Sequence, residues 1–199
     1  RLISIDLHSG QIQGFFDGPV DHLTAAPVLE NYIRQHAPDA PVIVSPDSGR
    51  IKVAERMAQH LHDCEADIAF IYKRRPKGQA NVVEAKEVIG DVKGRLCVLT
   101  DDMIDTGGTI VSAAELLLER GATEVWAMAT HGVLSGPAVE RLSASPLERL
   151  VLTNTLPLPE QKRLSQVDVL SIAPLIAQAL SAVFDDTSVS EIFSGENYA

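Results

Sequence analysis

Apolar and polar positions along the chain fall into two alternating periods. Short, β-branched apolar runs occur at 2–5, 41–45, 68–72, 96–100, 125–130, 150–153 and 167–172, and each reads as a buried strand. Between them, stretches at 28–36, 51–61, 110–120, 137–143 and 174–184 carry helical spacing. The clearest helix face is Ile110, Ala113, Ala114 and Leu117, an i, i+3, i+4, i+7 stripe that Arg120 and Gly121 close. Strands alternating with helices predict βαβ crossovers and a parallel sheet covered on both faces, an α/β doubly wound domain with flanking helices. Its ligands should sit at the carboxyl ends of the strands. The chain opens directly on a strand, and residues 8–20 hold Ile12, Phe15, Phe16 and Val20 without a period. The expectation is therefore an unpaired N-terminal remnant at 1–20, a complete α/β domain at 21–184 and a tail at 185–199.

Charge and composition narrow the function. A formal net charge of −10 opposes the phosphates of a nucleic acid, so no polymeric nucleic-acid partner is expected. No apolar run is long enough to span a bilayer, and Cys64 and Cys97 lack metal-ligand spacing, which together predict no membrane association and a reducing, cytoplasmic setting. Against the acidic background, Lys73, Arg74, Arg75 and Lys77 crowd around Pro76. Taken alone such a run is a solvated loop; it also suits a small polyphosphate.

The chemistry is densest at Leu96-Cys97-Val98-Leu99-Thr100-Asp101-Asp102-Met103-Ile104-Asp105-Thr106-Gly107-Gly108-Thr109. A buried strand runs into paired carboxylates, a third carboxylate and a turn that opens a helix. Backbone N–H groups at a helix N-terminus, glycines that allow close approach and two hydroxyls make a site for one terminal phosphate. The carboxylates beside it suit neighbouring sugar hydroxyls or water around a magnesium ion. Singly, Asp101 and Asp102 end a strand and Thr106 or Thr109 caps a helix; in this order they resemble the phosphoribosyl diphosphate loop. That loop is shared by phosphoribosyltransferases and ribose-phosphate diphosphokinases, and Thr100 stands where it usually has an apolar residue.

Other segments resemble the diphosphokinases alone. Asp6-Leu7-His8-Ser9-Gly10-Gln11-Ile12-Gln13-Gly14-Phe15-Phe16-Asp17 is similar to a signature that transferases lack, and Ser45-Pro46-Asp47-Ser48-Gly49-Arg50 and Tyr72-Lys73-Arg74-Arg75-Pro76-Lys77 resemble two more of the family's segments. The resemblance implies a type I phosphoribosyltransferase-like fold, preceded in full-length relatives by a similar domain that supplies much of the adenine-binding surface. It implies His8 and Asp47 as magnesium ligands, and Lys73 and Arg75 as catalytic cations on a mobile loop, with Arg74 and Lys77 weaker candidates. Asp101, Asp102, Asp105, Thr106, Gly107, Gly108 and Thr109 would bind ribose 5-phosphate. Arg50 stands where many relatives carry glycine. The Ser135-Gly136-Pro137-Ala138 turn and the tail with Ser188 and Ser190 also resemble family segments, the serines as regulatory phosphate ligands where subunits meet; His131 reads as structural.

The implied reaction is transfer of the diphosphoryl group of Mg-ATP to the 1-hydroxyl of ribose 5-phosphate. The implied partners are ATP, ribose 5-phosphate, Mg2+ and copies of the chain, hexameric in the intact family. A phosphoribosyltransferase, or a non-catalytic diphosphokinase-like subunit or fragment, remain the alternatives. No Walker-type Gly-x-x-x-x-Gly-Lys-Ser/Thr run is present.

Overall fold

The computed structural model describes residues 1–74 and 85–193, with side chains at 1–72 and 87–193. Two sheets form. The first pairs β1 (Leu2–Ile5) in parallel with β2 (Val20–Leu23). The second has seven strands, β3 (Val42–Ser45), β4 (Asp67–Arg74), β5 (Ala85–Ile89), β6 (Leu96–Ile104), β7 (Glu124–Gly132), β8 (Arg149–Thr153) and β9 (Val167–Leu170), in the order β5-β4-β3-β6-β7-β8-β9. Every neighbouring pair is parallel except the edge pair β4 and β5.

Helices cover both faces of the large sheet, as the alternation predicts. The helices α1 (Ala26–His36) and α2 (Ile51–His60) bury Leu29, Ile33, Ala54 and Met57 against Ile43, Val98 and Met128. On the other face, α3 (Gly108–Glu119) and α4 (Ala138–Ser143) bury Ile110, Ala113, Leu117 and Leu142 against Val44, Leu99 and Ala127. The predicted stripe of α3 is thus its buried stripe. Each fully buried Leu or Ile contributes on the order of 1.5–3 kcal/mol, so this face alone outweighs the weak intrinsic preferences of the segment. Pro27 and Pro174 stand in the first turns of α1 and of α5 (Ala173–Phe184), where a missing N–H costs nothing.

Two expectations need correcting. The N-terminal strand has a partner: β1 pairs with β2 along its whole length, and a third apolar cluster joins Ile3, Ile5 and Leu23 to Leu175 and Ala179 of α5 and to Val189 and Phe193 of the tail. The strand β1 is therefore held by chain from both ends of the sequence. Apolar surface nevertheless remains open there, with Phe15 91 % and Phe184 83 % exposed. The second correction concerns β6, which continues through the paired carboxylates to Ile104 because Met103 and Ile104 keep pairing with His131 and Gly132 of β7.

The order of strands fixes where a ligand can enter. From β3 the chain passes through α2 to β4 on one side, and from β6 it passes through α3 to β7 on the other. The carboxyl ends of β3 and β6 are neighbours whose connections diverge, which opens a crevice between them.

Candidate active site

That crevice is a cleft of about 410 Å³ lined by His8, Asp47, Gly49, Arg50, Val53, Asp101, Asp102 and Met103. Asp47 follows β3, Arg50 caps α2, and Asp101 and Asp102 lie on β6. Alternation along β6 points the two carboxylates into different surroundings, Asp101 partly open and Asp102 buried. His8 arrives from the small sheet and sets its Nδ1 2.7 Å from Asp102 Oδ2. The guanidinium of Arg50 binds the same oxygen through Nη2, and its Nε lies 3.7 Å from Asp101 Oδ1. The Asp102 backbone N–H donates to Asp101 Oδ1 at 2.9 Å.

This arrangement splits the two carboxyls. Burial pushes Asp101 up to about 7, and a hydrogen bond to Asp102 adds to the rise. Burial opposes the charge on Asp102 too, yet hydrogen bonds from Asp101 and His8 and the charge of Arg50 outweigh it and hold Asp102 below the ordinary carboxylate range. One carboxyl is thus kept ionised while its neighbour retains its proton to near neutrality.

Beyond β6 the chain enters the turn 105–109. Gly107 takes a left-handed φ of +74° as the N-cap of α3, and no side chain caps the helix. A Cβ at Gly107 would meet Leu142 Cγ at 3.3 Å. The first N–H groups of α3 are left for an outside acceptor, beside the exposed Thr106 and Thr109. The segment after β7 grips this turn from the side. Ser135 Oγ donates to Asp105 Oδ1, its backbone N–H donates to the Asp105 carbonyl at 3.0 Å, and Arg141 Nη1 donates to the Thr106 carbonyl at 3.2 Å. Sequence reasoning quoted Ser135 without a role and missed Arg141.

A second set of contacts seats His8. Asp6 holds a left-handed φ of +41°, and its Oδ2 accepts from the Ala25 N–H at 2.8 Å and from Thr130 Oγ1 at 2.7 Å. His131 Nε2 faces the carbonyls of Ile5 and Asp6 at 3.1 and 3.2 Å, which makes that nitrogen the donor. His131 is structural in this sense, as expected. His22 Nε2 accepts from the Leu7 N–H at 2.9 Å, and burial lowers its pKa, which suits the neutral ring that this contact needs.

The structure brings together His8, Asp47, Asp101 and Asp102, with the 105–109 turn adjoining them on the same strand. Lys73 is on strand β4 with its backbone opposite Lys86, rather than on a free loop. Arg75 and Lys77 lie outside the described residues. Ser188 and Ser190 contact each other through their hydroxyls at 2.7 Å and are exposed.

Among the described residues no group of three or more histidine, cysteine or carboxylate side chains is placed to hold a metal ion, so a magnesium ion in this cleft would have a smaller protein share. With Nδ1 of His8 bound to Asp102, Nε2 is the nitrogen left for another partner, and Asp47 lines the same cleft. One or two carboxylates are the protein share this ion usually takes, the rest being water and phosphate oxygens, so Asp47 suits it better than the imidazole of His8 does.

The family model described as phosphoribosyl synthetase-associated domain matches residues 66–194. The chain belongs to the ribose-phosphate pyrophosphokinase family. Ribose-phosphate pyrophosphokinases of Streptomyces avermitilis and Bifidobacterium longum are 53 % and 54 % identical to it, each over 97 % of this chain, but the chain spans only 59 % and 57 % of their lengths. A crystal structure of phosphoribosylpyrophosphate synthetase from Mycobacterium smegmatis superposes with a TM-score of 0.83 and 52 % identity, over 92 % of this chain and 58 % of that one. Among the described residues no helix is long and apolar enough to cross a membrane.

Proposed function

We propose that the chain forms the sugar-phosphate and metal-binding part of a ribose-phosphate diphosphokinase. The reaction transfers the diphosphoryl group of Mg-ATP to the 1-hydroxyl of ribose 5-phosphate, giving 5-phosphoribosyl 1-diphosphate and AMP. The observation that carries this reading is the convergence of an uncapped helix N-terminus, two carboxyls held at different protonation and the imidazole of His8 at one strand-order switch in a member of this family.

In this reading the N–H groups and hydroxyls of 105–109 seat the 5-phosphate, with Asp105 held by Ser135, and the partly open Asp101 orients the ring hydroxyls, while the structure buries the expected ligand Asp102 against Arg50 and His8. His8 and Asp47 would hold a magnesium ion, which would supply positive charge against the phosphates. The anomeric hydroxyl then attacks the β-phosphorus in line with the departing AMP. Lys73 and Arg75 supply positive charge where negative charge accumulates, since such transfers depend mainly on positioning and electrostatics. The intact protein works as a homo-oligomer in the cytoplasm, and adenine recognition draws on surface outside this chain.

Calorimetry with ribose 5-phosphate tests the assignment. The parent chain should bind the sugar phosphate, and Asp101→Ala combined with Asp105→Ala should abolish binding. Undiminished affinity in the double variant would move the site elsewhere.

A further inference from the structure

Arg50 is not used by the proposed reaction, yet it lines the cleft and reaches the carboxylates of Asp101 and Asp102 there. Every other ionisable side chain lining that cleft is a cation ligand by type: the carboxyls of Asp47, Asp101 and Asp102 and the imidazole of His8. Asp102 is the most enclosed of them, 1 % exposed at its side chain. Its Oδ2 carries both the Arg50 guanidinium and His8 Nδ1, whereas its Oδ1 is buried with no hydrogen-bond partner. A buried carboxylate with an unmet oxygen requires positive charge close by.

Arg50 also sits where a cation is otherwise unfavourable. It caps the N-terminus of α2, its carbonyl accepting from the Val53 and Ala54 N–H groups at 3.0 and 3.1 Å. That is the positive end of the helix dipole, so the charge there opposes the helix. The guanidinium is compensated by the carboxylates it reaches across the cleft. Its root is fixed by the helix, and its head lies between Asp102 and Asp101.

We propose that Arg50 is a built-in counter-cation that takes the place of a divalent cation against Asp102 in the free site, and so sets how many cations the cleft accepts before substrate binds. Arg50 is in this sense a specificity-determining residue, acting on cation occupancy through Asp102. The inference rests on reading the cleft as a cation-binding site and does not require any particular sugar or nucleotide. A chain with an uncharged residue at this position would leave Asp102 to recruit an ion from solution.

The test is titration of the chain with Mn2+ alone, followed by electron paramagnetic resonance of the free ion, without sugar phosphate or nucleotide. Arg50→Gly should bind Mn2+ about tenfold more tightly or better, as expected when a buried carboxylate loses its partner. Arg50→Lys should bind it as the parent does. Adding Asp102→Asn to Arg50→Gly should remove that gain. Arg50→Gln, uncharged and of similar reach, carries the same expectation if the glycine variant does not fold. Unchanged affinity in the uncharged variants, or a gain that survives Asp102→Asn, would overturn the proposal. Ribose 5-phosphate calorimetry on the parent chain is a separate readout, so loss of the sugar-phosphate reading would not be confused with loss of this one.

Discussion

His8 and Asp102 are 94 residues apart in the chain, and their side chains meet at 2.7 Å across the boundary between the two sheets. The contact fixes which imidazole nitrogen remains for a ligand. A carboxylate behind a metal-binding histidine orients the ring and raises its basicity, and removing it typically costs about 10- to 100-fold in affinity or activity. Asp102→Asn should therefore raise the magnesium concentration needed for half-maximal AMP release by the complete enzyme by about that factor. An unchanged magnesium requirement would mean that His8 does not serve as a ligand through this geometry.

Stability should respond to pH through Asp101. Its folded value of about 7 lies above its ordinary 3.8, so the protonated form favours the fold. That contribution is complete below about pH 4 and is lost as pH rises through about 7. Asp102 is shifted downwards, so its contribution is lost only as pH falls through its depressed value. Urea unfolding between about pH 5 and pH 7 should show stability declining with pH in the parent, and Asp101→Asn should flatten that decline. Identical slopes for the two proteins would show that Asp101 is ionised throughout.

Ser135 offers a test of the phosphate turn that leaves its residues in place. Its hydroxyl and backbone N–H both bind Asp105. A hydrogen bond to a charged group contributes about 1.5–3 kcal/mol, so Ser135→Ala should weaken ribose 5-phosphate binding by up to roughly 10- to 150-fold in calorimetry. Arg141→Ala should act in the same direction through Thr106. Full affinity in both variants would show that the turn needs no support from the segment after β7.

On the proposed reading Lys73 acts on the transition state rather than on ground-state binding. In the complete protein, Lys73→Ala should lower kcat by about 10²–10³-fold, the loss expected for one preorganised donor. A raised KM with kcat unchanged would make it a binding residue instead.

The parallel sheet and the turn at 105–109 were legible because each is written in local sequence. Ile110 to Leu117 carries the helix period, and Asp101 to Thr109 holds the carboxylates and the turn glycines in one run. What escaped is short, polar or distant. Val20-Asp21-His22-Leu23 is too brief for its alternation to stand out, and β5 at the sheet edge is Ala85-Lys86-Glu87-Val88-Ile89, with charge where a buried strand would be apolar. The pairing of Arg50 with Asp102, and of Ser135 and Arg141 with the phosphate turn, exists only once β3, β6 and β7 lie side by side. Family resemblance marked His8 and Asp47 as metal ligands but left Arg50 without a role, because its role depends on which strand end faces it.

The stitch made by Asp6 bears on how the whole assembly moves. One carboxylate oxygen ties the Ala25 N–H, where the chain leaves the small sheet, to the Thr130 hydroxyl on β7, while His131 holds the carbonyls of Ile5 and Asp6. Swinging the small sheet away from the large one would rupture all of these bonds together and pull His8 off Asp102. The seam between the sheets is thus cross-linked at several points at once, and the place of His8 against Asp102 depends on all of them.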